Sequence, residues 1–222
     1  MSASLHPDLR FGSVLAVCAH PDDESFGLGA IVSTLSEGGV TTGVVCLTHG
    51  EASTLGMTAD LGAVRATELD DAARALGASR TWLRTHPDGM LASIPLDVLC
   101  ADVEECATLA RADCFLVFDD GGITGHPDHQ RATDAALRVA ERLGLPVIAW
   151  TVALDVAAAL NHEFGAHFVG REPREVDLVL EVDRAAQLRA IACHASQSAD
   201  NPVLWRRLAL QGDHESLRWL RR

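Results

Sequence analysis

One seven-residue stretch, AHPDDES at positions 19–25, places an imidazole and three carboxylates within five consecutive residues. It follows VLAVC at 14–18, an apolar run whose length and β-branched content suit a buried strand, and a glycine-containing helical stretch comes next. The acids are therefore expected at the carboxyl end of a strand, where open α/β sheets place ligand sites. Carboxylates this close repel one another unless a cation or hydrogen-bond donors neutralise them. The stretch predicts a metal site in which His20 and Asp23 face one ion, with Asp22 beside its bound water.

A second cluster, GHPDH at 125–129, offers two more imidazoles on either side of an acid. It also comes just after a strand-like apolar run, at 114–118. We expect the two clusters, although distant in sequence, to meet at one cation.

Together the two clusters resemble the signature motifs of the LmbE-like, or PIG-L, superfamily of metal-dependent N-acetylglucosamine de-N-acetylases. The first motif matches over 20–24 and the second over 126–129, in this order and each after a predicted strand. Weaker similarity runs through THGE at 48–51, RATEL at 65–69, ALG at 75–77, DG at 88–89 and HASQ at 194–197. The resemblance implies a three-layer, Rossmann-like α/β fold with a mostly parallel sheet.

The resemblance also implies roles for individual residues. It assigns His20, Asp23 and His129 as metal ligands, and three protein ligands with an open position are typical of a catalytic zinc site. It assigns Asp22 as the base that takes a proton from the metal-bound water, and His126 as the group that stabilises the oxyanion or protonates the amine. Asp128 is expected to orient His126 by accepting its second proton, as acids behind metal sites commonly do.

Four further residues are expected at the substrate. By resemblance Arg65 faces a polar head group, Asp88 binds sugar hydroxyls, Glu51 belongs to an active-site loop and His194 closes the pocket. For Arg65 the alternative is an ordinary surface ion pair with Glu68, which lies three residues further along the same predicted helix. Glu24 either orients a ligand or accepts backbone donors at the start of the next helix.

The sequence departs from part of the family at Thr124, where thiol-biosynthesis deacetylases of the mycothiol type carry a tyrosine. No tyrosine occurs anywhere in the chain, so a mycothiol precursor is not favoured as substrate. Lysine is also absent, which excludes a Schiff-base mechanism.

Composition sets the limits for these interpretations. With 222 residues, of which 48% are hydrophobic, residues 1–222 are expected to form one deacetylase domain. The net charge of −13 argues against a nucleic-acid partner, which would need a basic surface. No secretory signal is seen at 1–10 and no stretch approaches the roughly 20 apolar residues of a membrane span, so a cytoplasmic location is expected. The six dispersed cysteines are expected to be reduced and mostly buried.

Apolar periodicity predicts strands and helices in alternation. Strands are expected at 14–18, 40–48, 81–83, 115–118, 147–150 and 176–182, and helices at 26–37, 63–76, 95–110, 127–143, 184–193 and 202–210. Residues 51–61 are expected to form a loop at the carboxyl edge of the sheet, and residues 161–174 to be irregular. This alternation favours a mostly parallel sheet with helices on both faces.

The leading hypothesis is a zinc-dependent amidohydrolase that removes an N-acyl group, most simply acetyl, from a glucosamine-containing or related small amide. Two histidines and one carboxylate can also form the facial triad of a non-haem iron oxygenase, and Fe2+ could occupy the same site as a Lewis acid. A non-catalytic metal- or ligand-binding protein of the same fold is the third candidate. Asp22 speaks for hydrolysis, because a pure binding site has no use for an extra base. The expected partner is a small N-acyl amine or amino sugar, and assembly into a homo-oligomer stays open.

Overall fold

A sheet of five parallel strands forms the centre of the fold in the computed structural model, which describes residues 5–56 and 58–222. In chain order these strands are β1 (Ser13–Cys18), β2 (Thr41–Thr48), β3 (Arg80–His86), β4 (Cys114–Phe118) and β5 (Val147–Ala153). They lie in the order β3-β2-β1-β4-β5, and all four pairings between them are parallel.

Two antiparallel strands extend this sheet beyond β5. The last strand, β8 (His214–Arg221), pairs with β5 and places Leu217 opposite Trp150. The outer strand, β7 (Leu178–Glu181), pairs with β8, and the two-residue β6 (Gly170–Arg171) pairs with the end of β5. The expected mixed, mostly parallel α/β fold is therefore confirmed.

Helices cover both faces of the sheet because buried strand residues point alternately to either side. In β1, Val14, Ala16 and Cys18 belong to one hydrophobic core, and Leu15 and Val17 to the other. The first core packs against α2 (Gly29–Glu37), α3 (Leu61–Ala75), α7 (Leu154–Phe164) and α8 (Ala185–Cys193). The second core packs against α4 (Leu96–Ala110) and α6 (Pro127–Leu143).

Four further α-helical segments lie along the chain, three of them only four residues long. The segment α1 (Asp23–Phe26) starts inside the first motif, and the distorted turn α5 (Gly122–Gly125) comes just before the second. The remaining two, α9 (Ala195–Ser198) and α10 (Pro202–Gln211), follow α8. Within the described residues no helix combines the length and the apolar character needed to cross a bilayer.

Two expectations about secondary structure were wrong, and one strand was not predicted. The helix predicted at 26–37 is broken between α1 and α2, where a Cβ at Gly27 would lie 2.3 Å from the Phe118 ring. Part of the segment 161–174, predicted to be irregular, belongs to α7 and β6. Strand β8 was not predicted, because its charged sequence acquires order only by pairing with β5 and β7.

The strand order changes direction between β1 and β4, which are neighbours although β2 and β3 lie between them in sequence. At such a switch point the connections leave to opposite sides and open a crevice outside the carboxyl ends of the strands. The AHPDDES stretch follows β1 and the GHPDH stretch follows β4. The topology therefore brings both motifs to the same crevice.

All six cysteines are free, and five of them are buried.

Candidate metal centre

Three side-chain atoms from the two motifs converge in the crevice. Nε2 of His129 lies 3.2 Å from Nδ1 of His20 and 3.1 Å from Oδ1 of Asp23. Donors bound tetrahedrally to zinc at about 2.0–2.1 Å are themselves roughly 3.3 Å apart. The three residues form a cluster able to hold a metal ion, so the structure brings together the ligand set predicted from sequence.

Backbone groups orient two of these donors. Oδ2 of Asp23 accepts hydrogen bonds from the backbone N–H groups of Ala19 and His20, both at 2.9 Å, which leaves Oδ1 directed toward His129. Burial raises the pKa of Asp23, but the charge of His129 and its hydrogen bond outweigh this and hold the pKa well below its usual range. Nδ1 of His129 lies 3.2 Å from the carbonyl oxygen of Gly122. Because a carbonyl only accepts, Nδ1 keeps a proton, and Nε2 is the nitrogen that could bind a metal once it has released its own proton.

Two acids orient the third donor. Nε2 of His20 lies 3.1 Å from Asp88 and 3.4 Å from Asp128, so it keeps a proton, and Nδ1 is the nitrogen that could bind a metal once it has released its own proton. Burial lowers the pKa of His20, but its hydrogen bonds to Asp128 and Asp88 outweigh this and raise the pKa to about 10. Oδ1 of Asp88 is therefore engaged by His20, and its Oδ2 accepts the N–H of Ala52 at 2.8 Å. Asp88 lines the cavity, but it supports His20 rather than presenting free oxygens to sugar hydroxyls.

The expectation for Asp128 needs correction. Its carboxylate, which is completely buried, accepts the N–H groups of Gly89 at 2.8 Å and Leu91 at 3.0 Å, and does not contact the His126 ring. The hydrogen bond between these two residues involves the backbone of Asp128 instead of its carboxylate: the Asp128 N–H donates to His126 Nδ1 at 3.2 Å. Asp128 thus orients His20, since the helix start turns its side chain toward the first motif.

His126 is placed to donate a hydrogen bond into the cavity. Its ring stacks on His129 with centroids 4.6 Å apart, and it lines the cavity. Because Nδ1 accepts the N–H of Asp128, the neutral ring carries its proton on Nε2. Burial, together with the neighbouring His129 and His20, lowers the pKa of His126. The neutral ring, with Nε2 as donor, is therefore favoured near neutral pH.

Asp22 occupies a strained backbone position beside the ligand cluster. Its φ of 125° is rare for a residue with a side chain, and such outliers concentrate at functional sites. Oδ2 of Asp22 lies 3.0 Å from Nη2 of Arg65, and the carboxylate lines the cavity without belonging to the ligand cluster. Burial raises the pKa of Asp22 to about 6, with Arg65 opposing this shift.

Arg65 is committed to this arrangement. Its side chain is 3% exposed and donates to Asp22, to the carbonyl oxygen of Gly50 at 2.5 Å and to that of Pro21. The surface pair with Glu68 is therefore wrong, since Glu68 accepts instead from the N–H and hydroxyl of Ser196. Arg65 reaches the cavity wall, but its contacts hold Asp22 in place rather than leaving it free for a head group.

Glu51 and His194 do not line the cavity. Glu51 is exposed, and its Oε1 accepts the backbone N–H of Asp88 at 3.0 Å. His194 is completely buried, with Nε2 2.6 Å from Oε1 of Glu24. Direct substrate contact, expected for both residues, does not fit these positions. Glu24 in turn accepts the Asp22 backbone N–H at 2.9 Å, which agrees with the expectation that it takes backbone donors.

Part of the loop predicted at 51–61 lies along one side of the crevice. Its residues Ala52, Ser53, Thr54 and Leu55 line the cavity. The hydroxyl of Ser53 donates to Gln197 at 2.7 Å, which ties the loop to α9. The HASQ segment thus contributes to the site through Gln197.

The cavity has a volume of about 520 Å³, within the usual range for small-molecule sites. The metal cluster, Asp22 and His126 lie on one part of its wall. Another part is apolar and includes Phe26, Phe118, Trp150, Phe168 and Leu204, with the buried Arg207 beside them. Sequence reasoning missed this part, because its residues come from separate elements and show no shared motif.

A crevice at the switch point of a mostly parallel sheet, with a His–Asp–His cluster able to hold a metal ion and a further carboxylate beside it, defines an α/β protein with a candidate metal site. The chain belongs to the PIG-L family, since the family model described as GlcNAc-PI de-N-acetylase matches residues 15–140. This span contains both motifs, so the family resemblance stated from sequence is confirmed.

Two curated relatives illustrate the similarity. The 1D-myo-inositol 2-acetamido-2-deoxy-α-D-glucopyranoside deacetylase of Corynebacterium efficiens is 31% identical over 232 residues, covering 87% of this chain and 74% of the relative. The probable N-acetyl-α-D-glucosaminyl L-malate deacetylase 2 of Bacillus anthracis is 29% identical over 218 residues, covering 94% and 92%.

Solved structures show the same fold. A deacetylase of the teicoplanin biosynthesis pathway superposes with a TM-score of 0.71 at 19% identity, covering 93% of this chain and 96% of that one. The 4-carboxy-2-hydroxymuconate hydratase of Pseudomonas putida superposes with a TM-score of 0.70 at 17% identity, covering 94% and 95%. At these identities the likeness concerns the fold alone, and it includes an enzyme that is not a deacetylase.

Proposed function

We propose that this protein is a metal-dependent N-deacetylase that removes acetyl from an N-acetylglucosamine-containing or related small amide. The observation that carries the proposal is the cavity itself, in which three convergent ligand atoms lie beside a carboxylate that is not one of them. A binding site would need only the ligands, whereas hydrolysis also needs a base for the attacking water.

The donor set suits a divalent metal. His20 and His129 each have one ring nitrogen held as a donor by a neighbouring acceptor, so the other nitrogen is free to ligate, and Asp23 adds a carboxylate oxygen. Two imidazoles and one carboxylate are a common zinc ligand set, and ferrous iron accepts the same donors. We propose Zn2+ as the ion, which when bound supplies Lewis acidity for the amide carbonyl and lowers the pKa of water.

The chain's own side chains then account for the proton movements. Asp22 accepts the proton that the attacking water loses as its oxygen bonds to the amide carbon. Arg65 holds the Asp22 carboxylate at 3.0 Å and stabilises its ionised form. The Nε2–H of His126 donates a hydrogen bond to the developing oxyanion. When the C–N bond breaks, the proton held by Asp22 passes to the departing amine, which also takes up the remaining proton of the acid product, so acetate and the protonated amine are released.

The substrate class follows from the relatives. Both curated relatives described above are named for acetylated glucosamine joined to another group, inositol in one and malate in the other. We infer that the amino-sugar portion is the shared feature and that the attached group differs between members. We also propose that residues 1–222 act as a single catalytic domain.

The direct test is acetate release. Zinc-loaded protein, incubated with N-acetylglucosamine conjugates and other N-acyl amines, is expected to release acetate and the matching amine in equal amounts. Release of neither product from any conjugate would overturn the proposal. Oxygen consumption that depends on Fe2+ would favour oxygenase chemistry instead, and it can be followed in the same samples.

A further inference from the structure

Arg207 is a buried arginine at the apolar side of the cavity. It comes from α10, is 4% exposed and lines the cavity. Its guanidinium lies over the Trp150 ring, 4.9 Å from the centroid. It donates to the side-chain oxygen of Gln211 and to the carbonyl oxygen of Phe26. Both acceptors are neutral, so these contacts fix the position of the cation without balancing its charge.

Within the part of the chain that the structure describes, Arg207 forms no ion pair. Glu215 is the acid whose charge favours the protonated Arg207, but it lies 2.5 Å from Arg184 and accepts from Trp150 Nε1 at 2.6 Å. Burial lowers the pKa of Arg207 to about 10, which leaves the group charged at neutral pH. Burying a cation without a counter-charge destabilises the folded protein unless another interaction compensates for the lost hydration.

The hydrogen bonds of Arg207 also leave donors over. A guanidinium has five N–H groups, and the two contacts to Gln211 and Phe26 use two of them. Among the described residues Nε of Arg207 has no acceptor. It is also not one of the side-chain atoms that are fully buried and lack a hydrogen-bond partner, so Nε is not completely enclosed. Arg65, the other buried arginine of the cavity, differs because it is paired with Asp22. Arg207 is thus a fixed cation at the cavity wall that still has N–H donors to offer.

An aromatic path connects Arg207 to the metal cluster. The Phe118 ring contacts the His129 ring at 4.9 Å between centroids, and Trp150 lies 5.2 Å from Phe118. Trp150 in turn lies under the guanidinium of Arg207, 4.9 Å from the ring centroid. A ligand with its amide at the metal cluster would therefore pass two aromatic rings before it reached the guanidinium.

The geometry points to Arg207 as the binding residue for a carboxylate on the substrate, separated from the scissile amide by an apolar segment that lies along Phe118 and Trp150. This inference rests on the proposed deacetylase function and deepens it by giving the substrate class. A planar carboxylate matches the fork of N–H groups on a guanidinium, and charge-assisted bonds of this kind are roughly twice as strong as neutral ones. The chain as a whole carries a net charge of −13, so attraction of an anion requires a local cation such as this one.

Matched ligands test the inference. The probes are β-glycosides of glucosamine with ω-hydroxyalkanoic acids of several chain lengths, each compared with its methyl ester. These free amines have no amide to hydrolyse, so their dissociation constants, measured by calorimetry on zinc-loaded protein, do not depend on turnover. At one or more chain lengths the carboxylate is expected to bind at least about tenfold more tightly than the ester.

Variants locate the source of the preference. Arg207→Gln is expected to reduce the carboxylate preference, the ratio of the ester's dissociation constant to that of the acid, to about one. Continued binding of the ester shows that the site is still folded. Arg206→Gln is the matched control, because Arg206 is the adjacent residue on α10, exposed and paired with Glu163. It is expected to keep the full preference. Arg207→Lys, which retains the charge without the fork, is expected to keep a reduced one.

Two outcomes would overturn the inference. If the parent protein does not distinguish carboxylate from ester at any chain length, Arg207 has no such role, whether or not its variants fold. If Arg207→Gln retains the preference, the carboxylate binds elsewhere, for example at the metal. Acetate release from the N-acetylated esters is measured separately. Acetate release without a carboxylate preference would leave the deacetylase proposal standing, and a preference without acetate release would leave only the binding role of Arg207.

Discussion

Nε2 of His194 lies 2.6 Å from Oε1 of Glu24, and both side chains are completely buried. Burial opposes protonation of His194, but the charge of Glu24 outweighs it and raises the pKa of the imidazole. The second oxygen of Glu24 accepts the backbone N–H of Asp22, the residue held at a φ of 125°. This buried pair therefore supports the backbone from which the proposed base projects.

Glu24→Ala is expected to damage both stability and turnover. It leaves the His194 imidazole and the Asp22 N–H without their partner, so the free energy of unfolding should fall by about 3–5 kcal/mol. Release of the Asp22 backbone should lower kcat at least about tenfold, whereas zinc content should be unchanged because Glu24 is not a proposed ligand. Urea denaturation, kinetics and metal analysis measure these effects. Glu24→Gln, which keeps one acceptor, should lose less, and a loss of zinc in Glu24→Ala would contradict the assignment.

Asp22→Asn and His129→Ala separate the base from the ligands. Asp22→Asn keeps the side-chain shape but cannot accept the proton, so kcat should fall about 100-fold to 10,000-fold with zinc retained. His129→Ala should lose most of its zinc, since it removes one of three ligands. Asp134→Asn is the control, because this exposed acid on α6 lies away from the cavity. Parent-like activity in Asp22→Asn would require another base.

Asp128→Asn tests which histidine Asp128 orients. The substitution weakens the acceptor 3.4 Å from His20 Nε2, so zinc affinity should fall about 10-fold to 100-fold. Competition with a chelator measures this affinity. If Asp128 acted on His126 instead, kcat would fall with unchanged zinc affinity, and that result would show that Asp128 does not orient His20.

Zinc affinity should rise with pH. The pKa of His20 is raised to about 10, so below this pH the ring is protonated and must lose a proton to bind a metal. The apparent affinity should therefore increase about tenfold per pH unit between about pH 7 and pH 9. Stability that the zinc-depleted protein gains from protonated His20 is fully present below the ordinary pKa of 6.5 and is lost as pH rises through about 10. Chelator competition at several pH values checks the first effect, and an affinity independent of pH would contradict it.

Gly50→Ala should disturb Asp22 indirectly. A Cβ at this position would lie 2.1 Å from Nη1 of Arg65, and the backbone φ of +65° is itself unfavourable for alanine. Gly39→Ala is the matched control, with a φ of +88° and no atom within 4 Å of the added Cβ. Both should lose about 1 kcal/mol of stability from the backbone, but only Gly50→Ala should also lower kcat. Equal kcat in the two variants would mean that Arg65 does not position Asp22.

The sequence was sufficient to predict the fold class and the convergence of the two motifs. Residues 14–18 and 114–118 are short apolar runs, each followed at once by a cluster of metal-binding side chains, and parallel strands bring such clusters to one sheet edge. Helix α6 was predicted with both ends correct because Pro127 and Gly144 mark its start and stop.

Other features depend on contacts that no local pattern encodes. The partner of Asp128 is decided by which side of the crevice its helix faces, and the partner of His194 by the packing of α8 against the first motif. In the sequence, Arg207 lies in a predicted helix and cannot be told from a surface arginine. Only the packing of α10 reveals that it is buried beside Trp150. The charged strand β8 becomes ordered only between two neighbours.

The adjacency of β1 and β4 at the middle of the sheet has a consequence for how activity can be lost. His20 and His129, 109 residues apart, approach each other only while these two central strands remain paired. Fraying of the outer strand β7 would leave that pairing intact. During progressive denaturation, the metal cluster itself should therefore persist until the central strands separate, so loss of bound metal should report unfolding of the sheet centre rather than of its edge.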